Sequence, residues 1–330
     1  MKILITSGLS DKDIGGPAQY GPKLKEKFEE LGHKSRLITY TVERYLPIGV
    51  RHIFFFLKIL PSVMWANKII TLDTFSVGVP SVFATKILNR PLTVRVGGDF
   101  LWESYVNRTR EQVILSDFYK IPRSFNLKEK IIFYLTEKLL NWANIVAFNT
   151  NWQQKIWEQA YGINSNKSKV IKNFIPPKQI SSEYQKKNFV WAGRETEIKN
   201  PRLLLEVASQ TKSDYPEFNL EIIKNTSQIK LLERIKNCYA VINPSLSDVC
   251  PNFILEAIAF GKPFIITRET GLLEIYDKGG IFVNPLNKDD IILAIKKMMN
   301  PDEYSKFKSE LGFFNLTRNW HEVARDFLED

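Results

Sequence analysis

Short runs of Ile, Val, Leu and Phe recur along this 330-residue chain, and each is followed by a longer stretch whose apolar residues return every three or four positions. A continuous apolar run of four to eight residues suits a strand buried on both faces, and the stretch after it suits a helix lying on that strand. Repeated alternation of this kind leaves one economical solution, a parallel sheet covered by helices on both sides. The first series reads as strands Met1–Thr6, Arg36–Tyr40, Lys68–Leu72, Leu92–Val96, Ile145–Phe148 and Lys169–Asn173. Between them run helices near Pro17–Leu31, His52–Ala66, Val79–Leu88, Glu129–Trp142 and Trp152–Tyr161. Gly32 stops the first of these helices, as a glycine past the last turn does.

Pro176–Lys187 then breaks the rhythm with two prolines and a polar run, the composition of a linker. The alternation restarts with strands Phe189–Ala192, Asn219–Lys224, Tyr239–Asn243, Pro263–Thr267 and Gly280–Val283. Helices Asn200–Ser209, Ser227–Asn237, Pro251–Ala259 and Lys288–Met299 separate or follow them, and an amphipathic helix closes the chain at Trp320–Leu328. The expectation is therefore α/β with two doubly wound domains. The first covers residues 1–175, a linker 176–187, the second domain 188–310, and residues 311–330 hold the last helix. Two such domains place a cleft between the carboxyl ends of their sheets, where ligands bind.

Charge narrows the partners. Residues 1–165 hold 22 basic and 14 acidic side chains, a net +8, against +2 for the rest of a chain with formal charge +10. The first half suits an anionic partner such as a phosphorylated substrate or an acidic lipid surface. No nucleic-acid recognition motif accompanies the scattered basic residues. Cys238 and Cys250 are too few for a disulfide scaffold or a metal cluster, and their use suits a reducing compartment. Met1–Ser7 reads as a strand rather than a leader. The apolar run Ile53–Ala66 is broken by Lys58 and Pro61 and falls short of a membrane span.

Two segments of the second domain carry chemistry. Gly193-Arg194-Glu195-Thr196-Glu197-Ile198-Lys199-Asn200 joins a strand to a helix, and its forked Arg194 and point-charge Lys199 suit a diphosphate. The second is Pro244-Ser245-Leu246-Ser247-Asp248-Val249-Cys250-Pro251-Asn252-Phe253-Ile254-Leu255-Glu256-Ala257. Pro251 suits a helix start, and the free amides around Pro251, Asn252 and Phe253 make an anion or hydroxyl site. Glu256 stands in an otherwise apolar stretch and needs a polar partner, which a ribose diol would supply.

In order and spacing these segments resemble the donor-binding half of family 4 glycosyltransferases, over residues 188–300. A looser likeness runs forward through Gly15-Gly16-Pro17, Leu31-Gly32-His33 and Gly97-Gly98-Asp99-Phe100-Leu101-Trp102-Glu103. The resemblance implies the GT-B fold, with two Rossmann-like domains and a C-terminal helix crossing back to the first. It implies a retaining, metal-independent, hexosyltransferase-type enzyme with a nucleoside-diphosphate sugar as donor and no further cofactor. Arg194, Lys199 and Gly193 would then hold the diphosphate, Asp248 would lie near the transferred sugar, and Glu256 would hold the ribose. Asp248 stands where the family has Glu, and the unit that helps enclose the nucleobase is compressed, because Ile223-Lys224-Asn225 runs almost directly into the helix at Ser227. Whether the base is that of a UDP- or a GDP-sugar stays open.

In the first domain Gly15 and Gly16 could bring backbone amides to a phosphate. Gly15, Gly98, Trp102 and Glu103 would face a glycan or lipid-linked acceptor, and Asp99 would orient an acceptor hydroxyl or the donor sugar. Asp99 is then either a hydroxyl-orienting carboxylate or a helix cap, and Trp102 a stacking face. The basic, aromatic segment Arg44–Lys58 suits either a core-facing helix or peripheral contact with an acidic membrane. Together these imply envelope polysaccharide synthesis by a cytoplasmic protein, some of it held at the inner face of the membrane. The rivals are a phosphorylase or nucleotide-sugar epimerase on the same fold, and a binding protein with a decayed site.

Overall fold

The computed structural model describes residues 1–10, 13, 16–184 and 186–329. It divides into two units, with Met1–Ser104, Arg123–Asn173 and Asn319–Asp330 in unit 1 and Tyr105–Pro122 and Phe174–Arg318 in unit 2.

Unit 1 is built from β1 (Lys2–Ser7), α1 (Gly16–Glu30), β2 (Lys34–Thr39), α2 (Ile48–Trp65), β3 (Lys68–Thr71), α3 (Gly78–Ile87) and β4 (Leu92–Arg95). The chain continues into α4 (Phe100–Thr109), inside which the division falls, and α5 (Leu115–Phe118), which belongs to unit 2. It returns through α6 (Leu127–Trp142), β5 (Ile145–Phe148), α7 (Asn151–Tyr161) and β6 (Ser168–Val170). The six strands are parallel in the order β2-β1-β3-β4-β5-β6. Alternation along β1 sends Ile3 and Ile5 to one face, where they join Tyr20, Leu24 and Phe28 of α1.

Unit 2 continues with β7 (Asn188–Ala192), α8 (Pro201–Asp214), β8 (Asn219–Ile223), α9 (Gln228–Asn237), β9 (Ala240–Asn243), α10 (Asn252–Ala259), β10 (Phe264–Thr267) and β11 (Gly280–Val283). Helices α11 (Lys288–Met299) and α12 (Pro301–Gly312) follow. Its parallel order is β11-β10-β9-β7-β8. The sheet is buried on both faces: Phe189 and Trp191 of β7 point into one cluster with α8 and α11, and Val190 into another with α10. The last helix, α13 (Trp320–Leu328), lies in unit 1 against α1, burying Val323, Ala324 and Phe327 in the cluster of Ile3 and Phe28. An Asn319–Glu322 capping box starts it.

Both sheets reverse direction after their second strand. In unit 1 the reversal lies between β1 and β3, and in unit 2 between β7 and β9. The loops that leave such a pair part to opposite sides and open a crevice at the carboxyl edge.

Three helices, α4, α5 and α12, were not anticipated by the apolar rhythm. The polar stretch 176–187 is not loose: Gln179 N–H donates to Ala259 O at 2.8 Å, and the buried Lys262 Nζ donates to Ser182 O at 2.7 Å. Helix α2 is longer than the apolar run suggests, and its 18 residues are long and apolar enough to cross a membrane by length and composition. In this fold it packs Phe55, Ile59, Ser62 and Val63 inward. Ile53, Phe54, Leu57 and Met64 are exposed.

Candidate functional site

The switch point of unit 2 lies between the loop after β7 and the loop after β9. Two residues clasp these loops together. Asn200 holds the left-handed conformation that ends the first loop (φ 56°), and its buried Nδ2 donates to Pro244 O at 3.3 Å and Pro285 O at 2.8 Å. Leu246 N–H donates to Ile198 O at 2.8 Å. Asparagine tolerates this backbone at small cost, and Pro201 then opens α8 with its fixed φ.

The clasp brings Lys199 onto Asp248, with Nζ 2.9 Å from Oδ2 and both side chains less than a quarter exposed. Asn243, at the end of β9, donates Nδ2 to the same oxygen at 2.9 Å and is held in turn by Ser245 Oγ. The backbone of Asp248 pairs with Thr270 in the loop after β10, and its N–H donates to Glu269 O at 2.9 Å. Asp248 is thus oriented from three directions, and it in turn orients Lys199. Arg194 is exposed on the same loop, two residues past β7. Gly193 packs against Trp191, where a Cβ would lie 3.4 Å from the indole.

Pro251 stands just ahead of α10 rather than in its first turn, and its carbonyl accepts from Ile254 and Leu255. The N–H groups of Asn252 and Phe253 have no acceptor among the described residues. They are free donors at the positive end of the helix dipole. One turn on, Glu256 receives Gln228 Nε2 on Oε1 at 2.6 Å. Burial raises the Glu256 carboxyl from 4.5 to about 7, against the smaller opposing effect of the Gln228 hydrogen bond. The carboxylate that needed a polar partner has found one in α9, with its other oxygen left over. The compression after β8 is real, since only residues 224–227 join it to α9.

Sequence reasoning missed one wall of this site. Residues 105–122 belong to unit 2, where Asn107 Oδ1 accepts the N–H of Glu197 at 3.0 Å, beside Lys199. Ser247 Oγ accepts from Leu115 N–H at 2.9 Å, and Ser116 Oγ donates to Glu269 at 2.6 Å. This segment therefore spans both clasped loops. Nothing in its local pattern announces that placement.

The residues singled out in the first half fall in unit 1. Asp99 is 3 % exposed and caps α4, its Oδ1 accepting from Trp102 N–H at 2.9 Å. That is the helix-cap role of the two weighed for it. Trp102 itself is 3 % exposed, so the expected stacking face is corrected: an enclosed indole offers no ring surface to a sugar. Glu103 sits in the first turn of α4, Gly98 is exposed, Gly16 begins α1, and Gly15 lies outside the described residues. Among the described residues, no three His, Cys, Asp or Glu side chains are placed to hold a metal ion.

Two doubly wound sheets of this topology define a GT-B protein, and solved structures share the fold across the chain. HepE of Anabaena, crystallised with UDP-glucose, matches with TM-score 0.69 and 14 % identity, covering 100 % of this chain and 98 % of its own. Sucrose-phosphate synthase from Thermosynechococcus elongatus matches with TM-score 0.70 and 13 % identity over 98 % and 96 %. The lipopolysaccharide outer core galactosyltransferase WaaB matches with TM-score 0.62 and 13 % identity over 99 % of both chains. More particularly, residues 179–301 match the family model of group 1 glycosyl transferases. No curated protein sequence matches the chain.

Proposed function

We propose that the protein transfers a sugar, with retention of anomeric configuration, from a nucleoside-diphosphate sugar bound in unit 2 to a glycan or lipid-linked acceptor bound by unit 1. The observation that carries this reading is the clasped pair of loops at the unit 2 switch point. It joins Lys199 to Asp248, a few residues ahead of the unpaired amides of Asn252 and Phe253, with Arg194 on the loop that holds Lys199. UDP is the first base to test, because HepE was crystallised with UDP-glucose.

The chemistry asks for charge stabilisation. As the bond between the sugar's anomeric carbon and the diphosphate oxygen breaks, negative charge builds on the leaving phosphate. Arg194, Lys199 and the start of α10 would meet that charge with donors already in place. The acceptor hydroxyl attacks from the side the diphosphate leaves, and its proton passes to the departing phosphate oxygen, so no protein nucleophile is used and no metal is asked for. Asp248 keeps Lys199 aimed and accepts a hydroxyl of the transferred hexose. Glu256 takes the ribose hydroxyls on the oxygen that Gln228 leaves over.

The acceptor side is read as membrane-proximal, at the inner face of the cell membrane, in envelope polysaccharide synthesis. Lys58 pairs with the buried Glu43 at 2.6 Å and Arg44 with Asp13 at 3.0 Å, while the outward face of α2 is apolar. Helices α3 and α6, in contact on the same layer, add exposed Phe83, Ile87, Ile131 and Tyr134 with exposed Lys86, Lys128 and Lys130. An apolar face edged by lysines suits an acidic bilayer surface.

The test is turnover. Arg194→Ala and Lys199→Ala should each lower the rate of donor consumption by about 10²–10³-fold, the scale for losing one preorganised donor to developing charge. Near-normal rates in both would remove the assignment.

A further inference from the structure

At the carboxyl edge of the unit 1 sheet the fold holds a charge without a counter-charge. Arg95 ends β4 and is 9 % exposed. Its Nη2 donates to Asn149 Oδ1 and Asn173 Oδ1, at 2.8 Å each, and its guanidinium carbon lies 3.8 Å from the centroid of the Tyr20 ring. All three partners are neutral. Among the described residues no carboxylate pairs with it, and its Nε is buried without an acceptor. A buried cation in neutral company is costly unless something else compensates it.

The next residues leave room for that something. Gly97 and Gly98 are not in the left-handed region, so their backbone does not require glycine. Packing does not require it either: a Cβ on Gly98 would meet nothing within 4 Å, and one on Gly97 would meet only Arg95 Nη1, at 3.8 Å. The missing side chain of Gly97 leaves the space beside Arg95 Nη1 unfilled. Gln153 Nε2 donates to Gly97 O at 2.6 Å and to Val96 O at 3.4 Å, and Asn149 Nδ2 donates to Val96 O at 3.0 Å. In a trans peptide the N–H points opposite to its carbonyl, so the N–H groups of Gly97 and Gly98 are turned away from Gln153. Neither donates to an acceptor among the described residues.

We propose that Arg95 and the N–H groups of Gly97 and Gly98 bind a phosphoryl group carried by the acceptor. The Nη1 donors that the two asparagines leave over, beside two unpaired backbone donors, suit a phosphoryl oxyanion in charge and donor number. Asp99 does not compete for this place with its Oδ1, which caps α4. The proposal rests on the reading of unit 1 as the acceptor side, and it narrows the acceptor to a phosphorylated one.

The experiment titrates inorganic phosphate into the Arg194→Ala/Lys199→Ala double variant, which lacks the donor-side cations, and reads Tm against chloride at equal ionic strength. Phosphate should raise Tm in this background. Adding Gly98→Val, which meets no neighbouring atom within 4 Å at its Cβ, should abolish the rise while leaving Tm in chloride unchanged. Arg95→Gln should abolish it too. Absence of a phosphate-specific rise, or a rise that survives both changes, overturns the proposal. A second arm measures UDP affinity with and without Arg95→Gln in the otherwise wild-type chain. Unchanged affinity is expected, and an order-of-magnitude fall would mean that the cradle takes the donor's diphosphate, which also overturns it. Failure of UDP to bind the wild type would count against the donor reading alone, because the phosphate arm contains no nucleotide.

Discussion

Glu256 shows how a single residue ties site to stability. Its carboxyl is held at about 7 in the folded protein against 4.5 ordinarily, chiefly by burial. Between those values the folded state keeps a proton that the unfolded chain has released. This group's contribution to stability therefore falls as pH rises through that window and levels off above it. Glu256→Gln should flatten that part of the stability–pH curve, and urea midpoints at pH 5 and pH 8 would measure it. Ribose hydroxyls donating to the carboxylate favour its charged form. Nucleotide binding near pH 7 should then release a proton, seen as a binding heat that depends on the buffer's ionisation enthalpy. Equal heats in all buffers would separate Glu256 from the nucleotide. The types and spacing of Arg194, Lys199, Asp248 and Glu256 were readable in the sequence. The Lys199–Asp248 contact was not, because it depends on Asn200 and Leu246 closing two loops about 50 positions apart.

At the scale of elements, what could be read followed what the physics encodes locally. The strands β1, β3, β4, β5, β7, β9, β10 and β11 announce themselves as apolar runs, and their alternation with helices points to the sheet class. Helix α12 had a signal that went unused: Asn300 caps it, Pro301 opens it, and Tyr304, Phe307 and Leu311 bury one face. Helix α4 offered only its Asp99 cap and α5 nothing, since the division of the chain between two units falls within α4 and depends on tertiary contacts. The return of α13 to unit 1 makes its own prediction. Phe327 is buried beside Phe28 and Leu24, so Phe327→Ala should cost about 3–5 kcal/mol in chemical unfolding of unit 1. Asn319→Ala, which removes the capping box, should cost about 1 kcal/mol. Loss of stability in unit 2 instead would place the helix elsewhere.

Over the whole molecule, the proposed membrane contact draws on both the excess charge of the first half and the outward apolar face of α2. The protein should sediment with vesicles containing acidic lipid at low salt and be released as salt screens the attraction. Leu57→Asp should weaken the binding without unfolding unit 1, because Leu57 is exposed. Equal sedimentation with neutral and acidic vesicles would deny the charge its role. The central claim, however, is that unit 2 holds a nucleoside diphosphate between Lys199, α10 and Glu256. The most direct test is thermal unfolding with UDP and GDP in turn, on the wild type, Lys199→Ala and Glu256→Ala. A ligand at 100 times its dissociation constant adds about 2.7 kcal/mol, a readily seen shift. The account predicts that one of the two nucleotides raises the wild-type Tm and that both substitutions remove the rise. No shift with either nucleotide, or a shift that both variants keep, would contradict it.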